Sequence, residues 1–164
     1  MMKKLTIKRT FNAPIEKVWD AFTNQDILRK WWSPPGMTSS FLTVDLRVGG
    51  LFRFCFKGDD GTEMAGKEFW GRGEYSKIEK PTKLSYYDSF SDAEGNSVPP
   101  SHYGMSGKDE IEKLLVEFTF TAEGNKSNVE LVGNNSYEDT MTDEMTKGWN
   151  GMFDNLTAFL NISE

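Results

Sequence analysis

One cysteine and one histidine stand in 164 residues, and their scarcity excludes two chemistries at once. A single thiol cannot form an internal disulfide. A lone Cys55 and a lone His102 cannot assemble a Cys/His metal cluster. Positive charge is scarce too: 19 Lys and Arg against 25 Asp and Glu give a net charge of -6 and a pI of about 4.9. Nucleic acids and anionic membranes are bound by clustered basic residues, so neither is an expected partner. Long apolar runs are missing as well. The opening MMKKLTIKRT alternates where a signal peptide would run apolar, and no stretch is long enough to span a bilayer. A cytoplasmic protein without membrane insertion is therefore expected.

Catalytic motifs are equally sparse. There is no nucleophile elbow, phosphate loop or dinucleotide fingerprint, and Gly71-Arg72-Gly73 lacks the helix start that phosphate binding needs. The acidic groups Asp59-Asp60, Asp109-Glu110-Glu112 and Glu138-Asp139 match no calcium loop and read as solvated surface. No catalytic residue, metal or cofactor is assigned.

What the chain has in quantity is rings: 12 Phe, 5 Trp and 5 Tyr. At this length one domain, residues 1–164, buries about 70% of its unfolded surface, enough for a large ring-rich core. Leu5, Ile7 and Phe11 alternate as a strand over 5–11, with Arg9 on the same face, so a bulge or an inward Arg9 is required. Pro14 suits a first helical position, and Ile15, Val18, Trp19 and Phe22 form one helical face. Thr23 and Asp26 resemble a capping box for a second short helix that carries Leu28, Trp31 and Trp32 and ends at Pro34-Pro35. Adjacent helical residues point about 100° apart. Trp31 is therefore expected to anchor the helices, and Trp32 to reach a cavity rim.

From residue 41 the period is two. Leu42, Val44, Leu46 and Val48 lead to Gly49-Gly50, and Phe52, Phe54 and Phe56 follow. Matching apolar faces predicts Val48 beside Phe52 and Leu46 beside Phe54, through a three-residue connection or glycine bulge. Strands are also expected over 66–79, in LSYYDSF, at Leu114–Phe120 and through Val129 and Leu131. The polar stretch 91–112 reads as a lid or insertion. The last helix carries Met145, Trp149, Met152, Phe153, Leu156, Phe159 and Leu160 on one stripe, with Thr142 as its cap. Gly148 and Gly151 inside it call for close approach of a neighbour, or for room. The order of elements is α+β: a curved antiparallel sheet with one long helix across its concave face.

The segments RTFNAPIEKVWDAFT, ILRKWWSP, VDLRVGG, GRGEYSKIEKPTKLSYY, FSDAEGNSVPPSHYGM and GWNGMFDNLTAFL, in this order, resemble a START-like (SRPBCC, helix-grip) protein. The branch is the one related to the C-terminal domain of the activator of the heat-shock-protein-90 ATPase. The resemblance implies a bent sheet gripping the C-terminal helix around an internal cavity. In the wider superfamily that cavity holds lipids, sterols, hormones or polyketides, and some members catalyse cyclisation or dehydration.

The candidate cavity set is Trp32, Phe54, Phe56, Tyr75, Tyr86, Phe118, Trp149 and Phe153, with Phe52 among the rings and His102 and Tyr103 at the mouth. The same pattern also describes a filled core, and Pro99-Pro100 with His-Tyr-Gly also serves simply to fix a loop. Three functions follow. The first is a non-catalytic binding module for a small hydrophobic or aromatic molecule. The second is a co-chaperone-like domain binding a chaperone or other protein through its outer face, where Asp45 and Arg47 lie, although a cross-strand ion pair beside the Gly49-Gly50 turn also accounts for those two residues. The eukaryotic activators carry a separate N-terminal domain that these residues do not contain, which counts against it. The third is a cyclase or dehydratase using Tyr75, Tyr86, Asp88, Arg9 or His102. Cys55 reads as an outward, incidental thiol.

Overall fold

Alternating residues of period two become seven strands joined in one antiparallel sheet, which curls around a long C-terminal helix. The computed structural model describes residues 5–104, 110, 111, 113–134 and 139–162. In chain order these are β1 (Leu5–Phe11), α1 (Ile15–Thr23), α2 (Gln25–Trp31), β2 (Met37–Val44), β3 (Leu51–Gly58), β4 (Glu68–Glu79) and β5 (Lys83–Ser91). A 3-10 turn at Pro100–Tyr103, β6 (Leu114–Glu123), β7 (Lys126–Asn134) and α3 (Asp139–Ile162) complete them. The sheet order is β1-β7-β6-β5-β4-β3-β2, so the α1–α2 pair links the two edge strands. The expected α+β helix-grip architecture is the one the chain adopts. No helix among the described residues is long and apolar enough to cross a membrane.

Arg9 points inward without a bulge, because β1 pairs with β7 in unbroken register. Its guanidinium closes one end of the core, donating to Asp154 Oδ1 at 2.9 Å and Asn150 Oδ1 at 3.2 Å, and it lies 5.8 Å from the Phe153 ring centroid.

Several local expectations need correction. Pro14 is the N-cap of α1, not its first helical residue. Asn24, not Thr23, caps α2: its side chain accepts from the N–H groups of Asp26 and Ile27 at 3.0 and 3.2 Å. Thr23 instead donates back to the Trp19 carbonyl. Helix α3 begins at Asp139, so Thr142 lies inside it. The β2–β3 register also differs: Val44 pairs with Phe52 and Leu42 with Phe54, across a six-residue turn at 45–50. The turn wins because its backbone bonds to itself and to β4. Asp45 N–H donates to the Leu51 carbonyl, Gly50 N–H to the Arg47 carbonyl, and Gly49 N–H to the Tyr75 carbonyl. Leu46 and Val48 are left exposed, and Asp45–Arg47 is an ion pair within the turn, not across strands. Cys55 lies on the convex face but is fully buried, since the rings of its cross-strand neighbours Phe41 and Trp70 sit 5.2 Å apart beside it.

The start of the 91–112 stretch is not a free lid. Arg53 and Arg72, on the convex face, donate to the carbonyls of Ala93 and Gly95 at 2.6 and 2.9 Å and hold it down. Asp109, Glu112 and Glu138 lie outside the described residues.

Both reasons for a helical glycine occur in α3. A Cβ on Gly151 would lie 2.4 Å from Pro35 Cγ, whereas one on Gly148 would meet nothing within 4 Å. Pro35 thus docks directly on the helix backbone, and Asn155 Nδ2 donates to the Ser33 carbonyl at 3.0 Å. Gly148→Ala is expected to raise the urea-unfolding free energy by about 0.5–1 kcal/mol through helix propensity. Gly151→Ala is expected to lower it by about 1 kcal/mol, because overpacking against a rigid proline ring exceeds the helical gain.

Candidate ligand-binding site

The concave face is built in rows by cross-strand register. One row runs Phe54, Gly71, Phe90; the next runs Phe52, Gly73, Asp88, Leu114; a third runs Tyr75, Tyr86, Val116. Gly71 and Gly73 matter here because they have no side chain. A Cβ on Gly71 would lie 2.4 Å from Phe54 Cζ, and one on Gly73 would lie 2.7 Å from Tyr86 Cδ2. The Phe54 and Tyr86 rings therefore lie down over bare backbone, as aromatic rings do where a strand glycine permits close approach.

Five rings close a circuit above these rows. Trp32 contacts Phe52 at 5.1 Å between centroids, Phe52 contacts Tyr86 at 6.0 Å, and Tyr86 contacts Phe118 at 6.0 Å. Phe118 contacts Trp149 of α3 at 5.7 Å, and Trp149 returns to Trp32 at 5.1 Å. Most of these contacts are edge-to-face, the arrangement favoured by the ring quadrupole. Phe54 joins at Trp32, and Tyr75 joins at Tyr86.

The two tryptophans of the sequence divide their roles. Trp31 ends α2, packs on Phe22 and donates its Nε1–H to the Ala21 carbonyl at 2.9 Å. Trp32 falls just past the helix end and turns to the ring circuit. Among the described residues its Nε1 is buried with no hydrogen-bond partner, and the Tyr86 hydroxyl is in the same condition. Ser39 Oγ, Arg53 Nε and Thr157 Oγ1 are also buried without partners, and none of these belongs to the circuit. Buried polar atoms are almost always satisfied, so two orphans on one ring circuit call for an explanation.

Asp88 completes the site. It shares the face of Leu84 and Tyr86, with Gly73 on one side and buried Leu114 on the other. Desolvation there pushes its carboxyl up from the ordinary 3.8 to about 7. Burial also pushes the Tyr75 and Tyr86 hydroxyls above their ordinary value, with Asp45 adding to Tyr75, and Asp88 and then Tyr75 adding to Tyr86.

The candidates from sequence fall into three places. Trp32, Phe54, Tyr75, Tyr86, Phe118 and Trp149 come together. Phe56 and Phe153 extend the cluster on opposite sides, through Phe54 at 4.9 Å and Trp149 at 5.8 Å. Tyr103 packs on Phe69 and Phe90 and bridges β4 and β5, accepting from Trp70 N–H and donating to the Ser91 carbonyl. His102 is exposed, its ring edge-on to Tyr103 at 4.9 Å. Asp88 was not among the cavity candidates, although the alternation of LSYYDSF places it with Leu84 and Tyr86. Among the described residues no group of His, Cys, Asp and Glu is arranged to hold a metal ion.

The sequence matches, over residues 12–161, the family described as Activator of Hsp90 ATPase homolog 1-like protein. No curated protein matches it. Among solved structures, the AHSA1 protein from Silicibacter pomeroyi aligns at 17% identity and a TM-score of 0.77, covering 99% of this chain and 100% of that one. A protein from Arthrobacter aurescens aligns at 23% identity and a TM-score of 0.77, covering 96% and 86%. CalU16 from Micromonospora echinospora aligns at 22% identity and a TM-score of 0.63, covering 96% and 75%. At these identities the likeness establishes the fold, a bent sheet around a C-terminal helix. The family match spans nearly the whole sequence, and the chain therefore belongs to the Activator of Hsp90 ATPase homolog 1-like family, START-like in fold.

Proposed function

We propose that the protein is a non-catalytic binding module for a small hydrophobic or aromatic molecule, held between the curved sheet and α3 in the cytoplasm. The carrying observation is the pair of orphaned polar atoms, Trp32 Nε1 and Tyr86 OH, on one circuit of buried rings. An apolar site with a few convergent polar groups is the usual form of a small-molecule pocket. Leaving such atoms unpaired costs about 1–3 kcal/mol each, which a bonded ligand would recover.

The test is fluorescence titration with the neutral dye phenylnaphthylamine. One-to-one binding is expected, weakened about five- to tenfold in Tyr86→Phe, which removes only the hydroxyl. A dye that does not bind, or that binds Tyr86→Phe as tightly as the parent, would sink the reading.

A second reading rests on Asp88. An acid–base enzyme of the cyclase or dehydratase kind would use its carboxyl beside Tyr86. Such chemistry also needs a second group poised near neutral pH, and both tyrosines are pushed the other way. Binding is the function this arrangement supports best. The co-chaperone reading, with a heat-shock-protein-90 homologue as partner, is supported by the family match and by exposed apolar residues such as Leu46 and Val48 of the 45–50 turn.

A further inference from the structure

Asp88 is the unexplained group on the concave face. Among the described residues its half-buried carboxylate has no ion pair and no hydrogen-bond donor, although a carboxylate facing an apolar interior ordinarily has both. Three arginines of the sheet are committed elsewhere. Arg9 is held by Asp154 and Asn150 at the Phe153 end, and Arg53 and Arg72 lie on the opposite face, bonded to the carbonyls of Ala93 and Gly95. What register places beside Asp88 instead is aromatic: Tyr86 two residues back on its own strand and Phe52 beyond Gly73, two rings that also contact each other.

We infer that the site selects molecules with an apolar or aromatic body and a protonated amine, Asp88 acting as counter-ion and the neighbouring Phe52 and Tyr86 rings as cation–π partners. The inference rests on the binding reading above and names its ligand class. A neutral hydroxyl would give the carboxylate a hydrogen bond but leave its charge uncompensated in a low-dielectric interior. An ammonium supplies both. Aromatic faces carry negative potential and attract the same cation. Trp32 Nε1 can only donate, so a carbonyl or ether oxygen on the ligand would satisfy it.

The groups facing Asp88 make the pH dependence readable. Tyr86 and Tyr75 stay neutral through the working range, since both are pushed upward. From β3 and β6 it meets Phe52, across Gly73, and Leu114. The described inward residues of α3, Trp149, Met152, Phe153 and Leu156, carry no charge. Among these described groups, only Asp88 changes charge near neutrality.

The experiment compares naphthylmethylamine, naphthylmethanol and naphthoate by calorimetry on the full chain. At about pH 8 the amine is expected to bind about tenfold more tightly than the alcohol, and the carboxylate most weakly. In Asp88→Asn the amine-to-alcohol ratio falls to about one. In the parent protein the ratio also collapses as pH drops to about 5.5, because Asp88 takes up a proton. The parent pH series needs no variant and stands even if Asp88→Asn fails to fold. An amine bound no better than the alcohol, or a preference surviving in Asp88→Asn, overturns the inference while leaving the binding reading intact. If none of the three probes binds, both fall together.

Discussion

At about pH 8, Asp88→Asn is expected to make the protein more stable by about 3 kcal/mol, and at about pH 4 to leave stability unchanged. The carboxyl has an ordinary value of 3.8 in the unfolded chain and about 7 in the folded one, because the interior disfavours its charge. The folded state therefore keeps a proton that the unfolded state releases across this window. The proton-linked stabilisation is complete below about pH 4 and is lost as pH rises through about 7. The full shift is worth about 4 kcal/mol, and the solvent that still reaches Asp88 reduces it. Asparagine has nearly the shape of the protonated acid and no charge to desolvate, so it escapes the loss. Urea unfolding at the two pH values checks this directly. Equal stabilities at about pH 8 would mean that Asp88 is well solvated or paired, and the ligand argument would lose its foundation. A charge kept at such expense is the usual mark of a functional site.

The tandem tryptophans give the second large effect, as a contrast between neighbours. Trp31→Phe should cost about 3 kcal/mol, since it strands the buried Ala21 carbonyl and removes ring volume against Phe22. Trp32→Phe should cost only about 1–2 kcal/mol, because ring volume is lost there too but the Nε1–H it removes bonds nothing and its desolvation penalty disappears with it. The same substitution should weaken ligand binding. Two indoles adjacent in sequence and almost equally buried would thus differ through one hydrogen bond. Similar losses at both positions in urea unfolding would show that Trp32 is simply core packing.

Much of the fold was legible in local pattern. The stripe Met152, Phe153, Leu156 and Leu160 announced a buried helix, and the alternation of Phe52 and Phe54 announced a strand with one apolar face. Those periods survive because each is fixed by backbone geometry within a few residues. The β2–β3 register did not survive. Apolar matching paired Val48 with Phe52, whereas the Gly49 and Gly50 backbone bonds to Tyr75 on β4, a strand that hairpin pattern cannot see. The cap of α2 was misread for a smaller reason: Thr23 and Asn24 both offer an oxygen, and Thr23 spends its hydroxyl on the Trp19 carbonyl.

The candidate site divides along the same line. By itself the sequence determined its ingredients: many rings, a single cysteine and a single histidine, a carboxylate alternating with Leu84 and Tyr86, and a proline-stiffened turn after two tryptophans. Only the tertiary structure decided which rings meet and which polar atoms go unanswered. Trp32, Phe52, Tyr86, Phe118 and Trp149 come from the C-cap of α2, β3, β5, β6 and α3, and no window of sequence contains their contacts. Whether Trp31 or Trp32 finds a partner depends on a carbonyl ten residues away. Whether Asp88 is solvated depends on Gly73 and Leu114, brought beside it from other strands. Hydrophobic pattern is a property of neighbours along the chain. Desolvation and unmet hydrogen bonds belong to neighbours in space, and folding alone chooses those.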